Sequence, residues 1–445
     1  MTTQRENDIL TRVGPGTPMG ELMRRYWIPA AMSSELKIDG DPVRLQILCE
    51  KLIAFRDTEG RVGIMDHRCP HRCASLFFGR VEEGGIRCVY HGWKFDAEGN
   101  CVDMANVPAH QDFKHKVHAK AYKTFERNGV VWVYMGDQGE NGAKVPPMPD
   151  IPATLRPAED MKIWASQREC NWLQGLEGEL DTSHLGILHL GQAHKGSDFL
   201  QETHKYATGN RTPDYALADT DVGCMYGAYR PAEEDSLYWR VGHFAMPFWA
   251  MMPILPIERC VLARAYVPMD DTHTMIMIWG DKRGNPRTTD SNGGDFIVGY
   301  THNPQFHENT TDWYGRFRLK ANLRNDYFID REVQRTQSPS GIDGVQVQDD
   351  AVTTSMGGIV DRTFEHLGPS DQMITKVRRR LIAAAIALEK DATAPPGADR
   401  PDAYANIRSG NYVSPGDPAD WERVYWDKVA WARSILDPVP AKAAE

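Results

Sequence analysis

The stretch from residue 69 to residue 93 reads CPHRCASLFFGRVEEGGIRCVYHGW. It sets Cys69-Pro70-His71 sixteen residues ahead of Cys88-Val89-Tyr90-His91. Each short segment offers one thiolate and one imidazole, the ligands of zinc and of iron–sulfur clusters. A zinc finger usually supplies its two cysteines together and then its two histidines. The mixed order here suits a two-iron, two-sulfide cluster instead, with both cysteines on one iron and both histidines on the other. Imidazole in place of thiolate raises the potential of such a cluster to roughly −150 to +300 mV. Gly92 follows His91 directly and has no Cβ, so backbone N–H groups can approach the sulfides. Structural zinc is the competing reading of the four residues.

A second constellation lies in NWLQGLEGELDTSHLGILHLG, residues 171–191. Asp181 and His184 are three apart and share a face if the segment is helical. His184 and His189 are five apart, which an ideal helix splays by about 140°. A π-bulge or a broken helix end brings them together, and Gly178, Gly186 and Gly191 make irregular backbone reasonable. Two imidazoles plus one carboxylate form the facial set that holds non-haem Fe(II) and leaves positions open for O₂. GVQVQDDAVTTSMGG, residues 344–358, offers the carboxylate from a helix. Asp349 stands four after Val345 and three before Val352, on the expected packed side, with Asp350 turned about 100° away. A carboxylate facing a core needs a cation, so Asp349 is preferred over Asp350. His302 and His307 repeat the five-residue spacing, but they sit among Asn, Pro and Gln and read as loop.

These residues need elements to hold them. Near the N-terminus Thr17 can cap a helix started by Pro18, with Leu22, Met23 and Tyr26 as its apolar stripe. From Val43 to Met135, short β-prone runs alternate with turns such as Thr58-Glu59-Gly60 and Ala97-Glu98-Gly99-Asn100. This is a small all-β domain with the Cys–His pairs on its loops. The segment 137–160 is rich in Pro, Gly and charge, as linkers are. The expected division is 1–140 for the N-terminal segment and β domain, 141–160 for the linker and 161–445 for the catalytic half. There, strands are expected at 222–230, 237–246, 259–268 and 273–280, and helices around 171–190, 313–335, 346–356 and 371–390. Strands followed by helices make the class α+β.

Composition narrows the partners. The chain has 445 residues, 41% hydrophobic and 25% charged, with a formal net charge of −10. That charge argues against nucleic acid. The longest apolar run, Phe244 to Ile257, is broken by Pro247, Pro253 and Pro256, so no membrane span is expected. No signal peptide is visible, which points to the cytoplasm, and eight cysteines do not make a disulfide scaffold. GPGTPMG lacks dinucleotide spacing, so no dinucleotide site is expected there.

Together these motifs resemble the α subunit of the Rieske non-haem iron ring-hydroxylating oxygenases. The likeness spans NDILTRVGPGTPMGELMRRYW, the Cys–His pairs, NWLQGLEGELDTSHLGILH, and the long segment from NDYFIDREVQRTQSPSGIDG to DRTFEHLGPSD. It is strongest to the phthalate dioxygenase branch. The resemblance implies a Rieske 2Fe–2S domain and a helix-grip (Bet v1/START-like) antiparallel-sheet catalytic domain. It implies Cys69, His71, Cys88 and His91 on the cluster, and His184, His189 and Asp349 on a mononuclear Fe(II). It also implies that Asp181 links His184 to a cluster histidine, His91, of a neighbouring subunit in trimers or stacked trimers. Tyr90 stands where respiratory Rieske proteins place the second cysteine of a loop-bracing disulfide, so Cys73 has no partner in the motif. Cys73 itself occupies a place where relatives often carry Gly.

The implied activity is dioxygenation of an aromatic carboxylate, such as phthalate, isophthalate or a halobenzoate, to a cis-dihydrodiol. The implied reductase carries FMN and a plant-type 2Fe–2S centre. An apolar pocket for such an acid needs a cation, and Arg211 and Arg240 are the candidates in the catalytic half. Two other readings compete: a monooxygenase or O-demethylase with the same metals, and a Rieske electron-transfer protein without oxygenase activity.

Overall fold

The computed structural model describes residues 2–190, 205–282 and 305–436. Two short helices open the chain, Gln4–Thr11 and Pro18–Met23. Thr3 and Glu6 form a reciprocal capping box on the first, and the Thr17 side chain caps the second ahead of Pro18. Both pack against the long helix Gln372–Asp391, whose Val377, Leu381 and Ala385 are buried at helical spacing.

Ten strands follow. They are β1 (Trp27–Met32), β2 (Val43–Ile47), β3 (Glu50–Arg56), β4 (Val62–Asp66), β5 (Arg80–Glu82), β6 (Gly85–Arg87), β7 (Trp93–Phe95), β8 (Cys101–Met104), β9 (Ala121–Arg127) and β10 (Val130–Tyr134). Six of them form an antiparallel sheet in the order β1-β10-β9-β4-β3-β2. The four shortest form a second sheet, β5-β6-β7-β8. A small separate core of Ile53, Phe55, Met65, Leu76, Ile86 and Phe95 lies between the two.

The catalytic half adds β11 (Met161–Arg168), β12 (Asp214–Thr220), β13 (Gly223–Pro231), β14 (Ser236–Ala245), β15 (Trp249–Met251), β16 (Leu262–Pro268), β17 (Thr274–Asp281) and β18 (Gly410–Pro415). They make one antiparallel sheet, β11-β17-β16-β15-β14-β13-β12, with β18 added beside β14. The helix Trp172–Leu180 lies against β14, β15 and β16, and the helix Val345–Ser355 packs on it. The fold is therefore an all-β domain joined to an antiparallel-sheet catalytic domain with helices. The indoles of Trp132, Trp249 and Trp279 stand within 5.5–5.9 Å of one another and join β10 to β15 and β17.

One expectation needs correction here. Residues 313–335 are not one helix: a 3₁₀ segment, Leu323–Phe328, precedes a short helix, Arg331–Thr336. Phe317, Asp326, Tyr327 and Phe328 all take positive φ there, which no right-handed helix accommodates. A C-terminal helix, Trp421–Leu436, also forms, and its Trp421 and Tyr425 cover the outer face of β14.

Candidate functional site

The loop from β4 to β5 carries Cys69 and His71, and the loop from β6 to β7 carries Cys88 and His91. The two loops close in the same way. Cys73 N–H donates to Cys69 O, and Gly92 N–H donates to Cys88 O, each at 2.9 Å. Cys73 and Gly92 both have positive φ, 58° and 77°. Cys73 thus holds the structural counterpart of the Gly92 position, and its thiol is exposed. Gly92 is also confined sterically, since a Cβ there would lie 2.7 Å from that of Ala105.

Both cysteines are buried, and the Cys69 thiol is pushed up to about 12 by burial and by Cys88 beside it. A buried thiol raised this far stays protonated unless a cation binds it. The two imidazoles meet on the outer side, with His71 and His91 centroids 4.4 Å apart and His71 stacked on Trp93 at 4.3 Å. Burial, His91 and Arg72 hold His71 below the ordinary imidazole value, so it is neutral at pH 7 and able to ligate. A buried sulfur pair beside a half-exposed imidazole pair fits a cluster with unlike irons.

The second site begins where the helix Trp172–Leu180 ends. Asn171 caps its start, and Asp181 is its last cap residue. A single 3₁₀ turn, His184–Gly186, follows, so the broken helix end and not a π-bulge brings the two histidines together. His184 Nδ1 lies 3.3 Å from Asp181 Oδ2, and His189 Nδ1–H donates to Gln348 Oε1 at 2.6 Å. Gln348 is fixed in turn, its Nε2 donating to Ser340 Oγ and Ile342 O at 2.8 Å.

Both rings consequently aim Nε2 inward. These two nitrogens are 3.1 Å apart, and Asp349 Oδ1 lies 3.1 Å from that of His189 and 3.5 Å from that of His184. All three ligand atoms fall within 4.8 Å of one another. Lone pairs at that separation repel unless a cation sits among them. The electrostatics agree. Burial pushes the Asp349 carboxyl up, but His189 and His184 bring it below the ordinary value. Burial pushes His184 down, but Asp181 and Asp349 bring it above. The pocket favours positive charge at its centre, and two imidazoles with one carboxylate suit Fe(II).

The structure places Asp350 elsewhere. It is buried and pairs with Arg168, whose Nη1 also donates to Thr353. The packed-face argument from spacing therefore does not separate the two aspartates, since Val352 is exposed and Asp350 is the deeper. Their directions differ because successive residues of one helix turn by about 100°. Buried ion pairs secure the frame: Glu177 accepts from Arg362 and Arg378, and Glu179 accepts from Arg264 and Tyr266.

Arg240 is buried, and its Nε donates to Thr182 Oγ1 at 2.7 Å, one residue from Asp181. Arg211 is exposed, with its stem against Gly186. His302 lies outside the described residues, and His307 is exposed, its backbone paired with Arg318. Two neighbours of the site, Gln348 and Arg230, escaped the reading of the sequence. Gln348 directly precedes Asp349, and Arg230 stands on the same strand face as Ala228, opposite Arg240, so period-two alternation could have found it.

The Rieske [2Fe-2S] domain family matches residues 26–126, and the LigXa C-terminal domain-like family matches residues 133–435. The chain belongs to the Rieske oxygenase α subunits. It is 47% identical to the 3-chlorobenzoate-3,4-dioxygenase oxygenase subunit of Comamonas testosteroni, over 96% of this chain and 99% of that one. It is 36% identical to the phthalate 4,5-dioxygenase oxygenase subunit of Pseudomonas putida, over 87% of each. The crystal structure of dicamba monooxygenase bound to 3,6-dichlorosalicylic acid shares the fold, with a TM-score of 0.52 at 17% identity, over 83% of this chain and 99% of that one. As a Rieske oxygenase α subunit the protein is an enzyme that uses a 2Fe–2S cluster and a mononuclear iron. It draws electrons from a separate electron-transfer partner. Among the described residues no helix is long and apolar enough to cross a membrane.

Proposed function

We propose that this oxygenase subunit adds both atoms of O₂ to an aromatic carboxylate of the phthalate, isophthalate or halobenzoate type, forming a cis-dihydrodiol. The observation that carries the reading is Arg240: a buried guanidinium with no carboxylate partner among the described residues, bonded to the loop that leads into the His184 turn. An aromatic acid needs one such cation in an otherwise apolar surrounding. The related 3-chlorobenzoate and phthalate enzymes support it.

In this reading His184, His189 and Asp349 hold the iron, and Cys69, His71, Cys88 and His91 hold the cluster. Bound iron supplies a centre with open positions where O₂ is reduced by electrons relayed from the cluster. Asp181 orients His184 through Nδ1, and Gln348 orients His189, so both rings present Nε2. Arg240 anchors the acid and turns its ring toward the iron; Arg211, at the surface by Gly186, is the secondary candidate. Among the described residues no hydrogen bond, ion pair or ring contact joins the cluster loops to residues 181–189. That supports a trimer, or stacked trimers, in which the cluster of one subunit serves its neighbour through Asp181 and His91. Exposed Val89 and Tyr90 beside His91 suit such a contact. The electron donor in this scheme is an NADH-dependent reductase with FMN and a plant-type 2Fe–2S centre.

The test is substrate-dependent O₂ uptake by the metallated protein with such a reductase, over a panel of benzoates and phthalates. Products formed under ¹⁸O₂ are then weighed. Two labelled atoms per product support dioxygenation; one labelled atom, or release of a demethylated acid, replaces it with the monooxygenase reading. Cluster reduction without O₂ uptake on any acid returns the electron-carrier reading.

A further inference from the structure

Most buried arginines of the catalytic half have a carboxylate partner: Arg168 has Asp350, Arg264 has Glu179, and Arg362 and Arg378 share Glu177. Arg230 and Arg240 do not. They are 1% and 4% exposed, and neither forms an ion pair among the described residues. In the register of β13 and β14, Ala228 pairs with Arg240 and Arg230 pairs with Tyr238. The two arginines are therefore diagonal neighbours on one face of the sheet. Tyr226 and Tyr238 lie on the same face, and so does Tyr215, which pairs with Ala228 from β12.

Each guanidinium is anchored at one end. Arg240 Nε donates to Thr182 Oγ1 and Arg230 Nε donates to Asn210 O, both at 2.7 Å. Beyond those anchors, Nη1 of both arginines and the hydroxyls of Tyr215, Tyr226 and Tyr238 are buried without a hydrogen-bond partner among the described residues. Five such donors on one sheet face are costly to leave unmet, and the two cations add mutual repulsion. Burial and Arg240 bring Arg230 down to about 10, so it is still charged at neutral pH. One monocarboxylate leaves half of this charge uncompensated; two carboxylates match it.

We propose that Arg230 and Arg240, with the hydroxyls of Tyr215, Tyr226 and Tyr238, form a two-guanidinium subsite that selects aromatic acids carrying two carboxylates. The assignment rests on the reading of the protein as an oxygenase of aromatic acids and narrows its substrate class. Arg240 takes the carboxylate nearer the iron-site loop and Arg230 takes the second, each as a forked donor, while the tyrosines donate to the outer oxygens. Arg230 is a specificity-determining residue and takes no part in bond making.

The experiment compares KM and kcat for phthalate, isophthalate and terephthalate with those for benzoate and 3-chlorobenzoate, in wild type, Arg230→Gln and Arg230→Lys. All three proteins carry both metals and receive the same reductase. Wild type is expected to favour at least one dicarboxylate tenfold or more in kcat/KM. Arg230→Gln is expected to raise the ratio of dicarboxylate KM to monocarboxylate KM at least tenfold. Arg230→Lys, which keeps the charge without the fork, shifts that ratio by a smaller factor. A wild type that prefers monocarboxylates overturns the inference even if neither variant folds, and leaves the aromatic-acid reading standing. A KM ratio unmoved in both variants overturns it too. If wild type consumes O₂ with none of the five acids, the inference and the reading beneath it fall together.

Discussion

The four cluster candidates lie between residues 69 and 91, whereas the iron candidates span 184 to 349. The first set sits on two hairpin loops that close on their own backbone, through the matching Cys73–Cys69 and Gly92–Cys88 bonds. The second set joins the end of one helix to the middle of another, and it is held by side chains from distant parts of the chain. Gln348 reaches back to Ser340 and across to His189; Asp350, beside Asp349, is tied to Arg168 on β11. A site built on local backbone tolerates change elsewhere in the protein. A site built on long-range pairs does not.

That contrast can be broken. Asp349→Asn is expected to lose the mononuclear iron and at least ~1,000-fold in turnover, while the visible and EPR spectra of the cluster stay as they are. Iron analysis and single-turnover assays decide it. Asp181→Asn is expected to keep both metals and still lose most turnover, because the change is confined to the orientation of His184 and to the proposed path from a neighbouring subunit's cluster. Normal steady-state product formation by an iron-replete variant would contradict this role.

Arg168→Met tests the frame. It leaves Asp350 buried without its cation, held only by the Gln346 amide, and the expected loss is about 3–5 kcal/mol in denaturant unfolding. Gln348→Leu removes the acceptor of His189 Nδ1–H, and iron affinity should fall about 10–100-fold in chelator competition. An unchanged affinity would show that His189 is held by its ring packing alone. Cys73→Gly is the smallest change. Gly suits the positive φ, so a gain of about 0.5–1 kcal/mol is expected, read from denaturation midpoints of the protein with its cluster bound.

The same contrast explains what could be read in the sequence. The Cys–His pairs were legible because their chemistry is written within one short stretch. So were the helices 345–355 and 372–391 and the strands 223–231 and 274–281, where apolar period and length agree. The choice between Asp349 and Asp350 was not legible from packing, because Val352 on the Asp349 side is exposed while Asp350 is buried against Arg168, far away in sequence. Residues 313–335 look helical by apolar spacing, but four of them take left-handed backbone, which apolar spacing does not register. Arg230 was passed over because a strand arginine looks solvated until the sheet's covered face is known.

The clustered indoles of Trp132, Trp249 and Trp279 carry a consequence for anyone who would exchange parts between relatives. The electron-receiving module is not a cartridge. A graft from another oxygenase that brings a smaller side chain to position 132 leaves a hole at the seam, and the recipient half then pays in rigidity close to where its own strands carry Trp249 and Trp279.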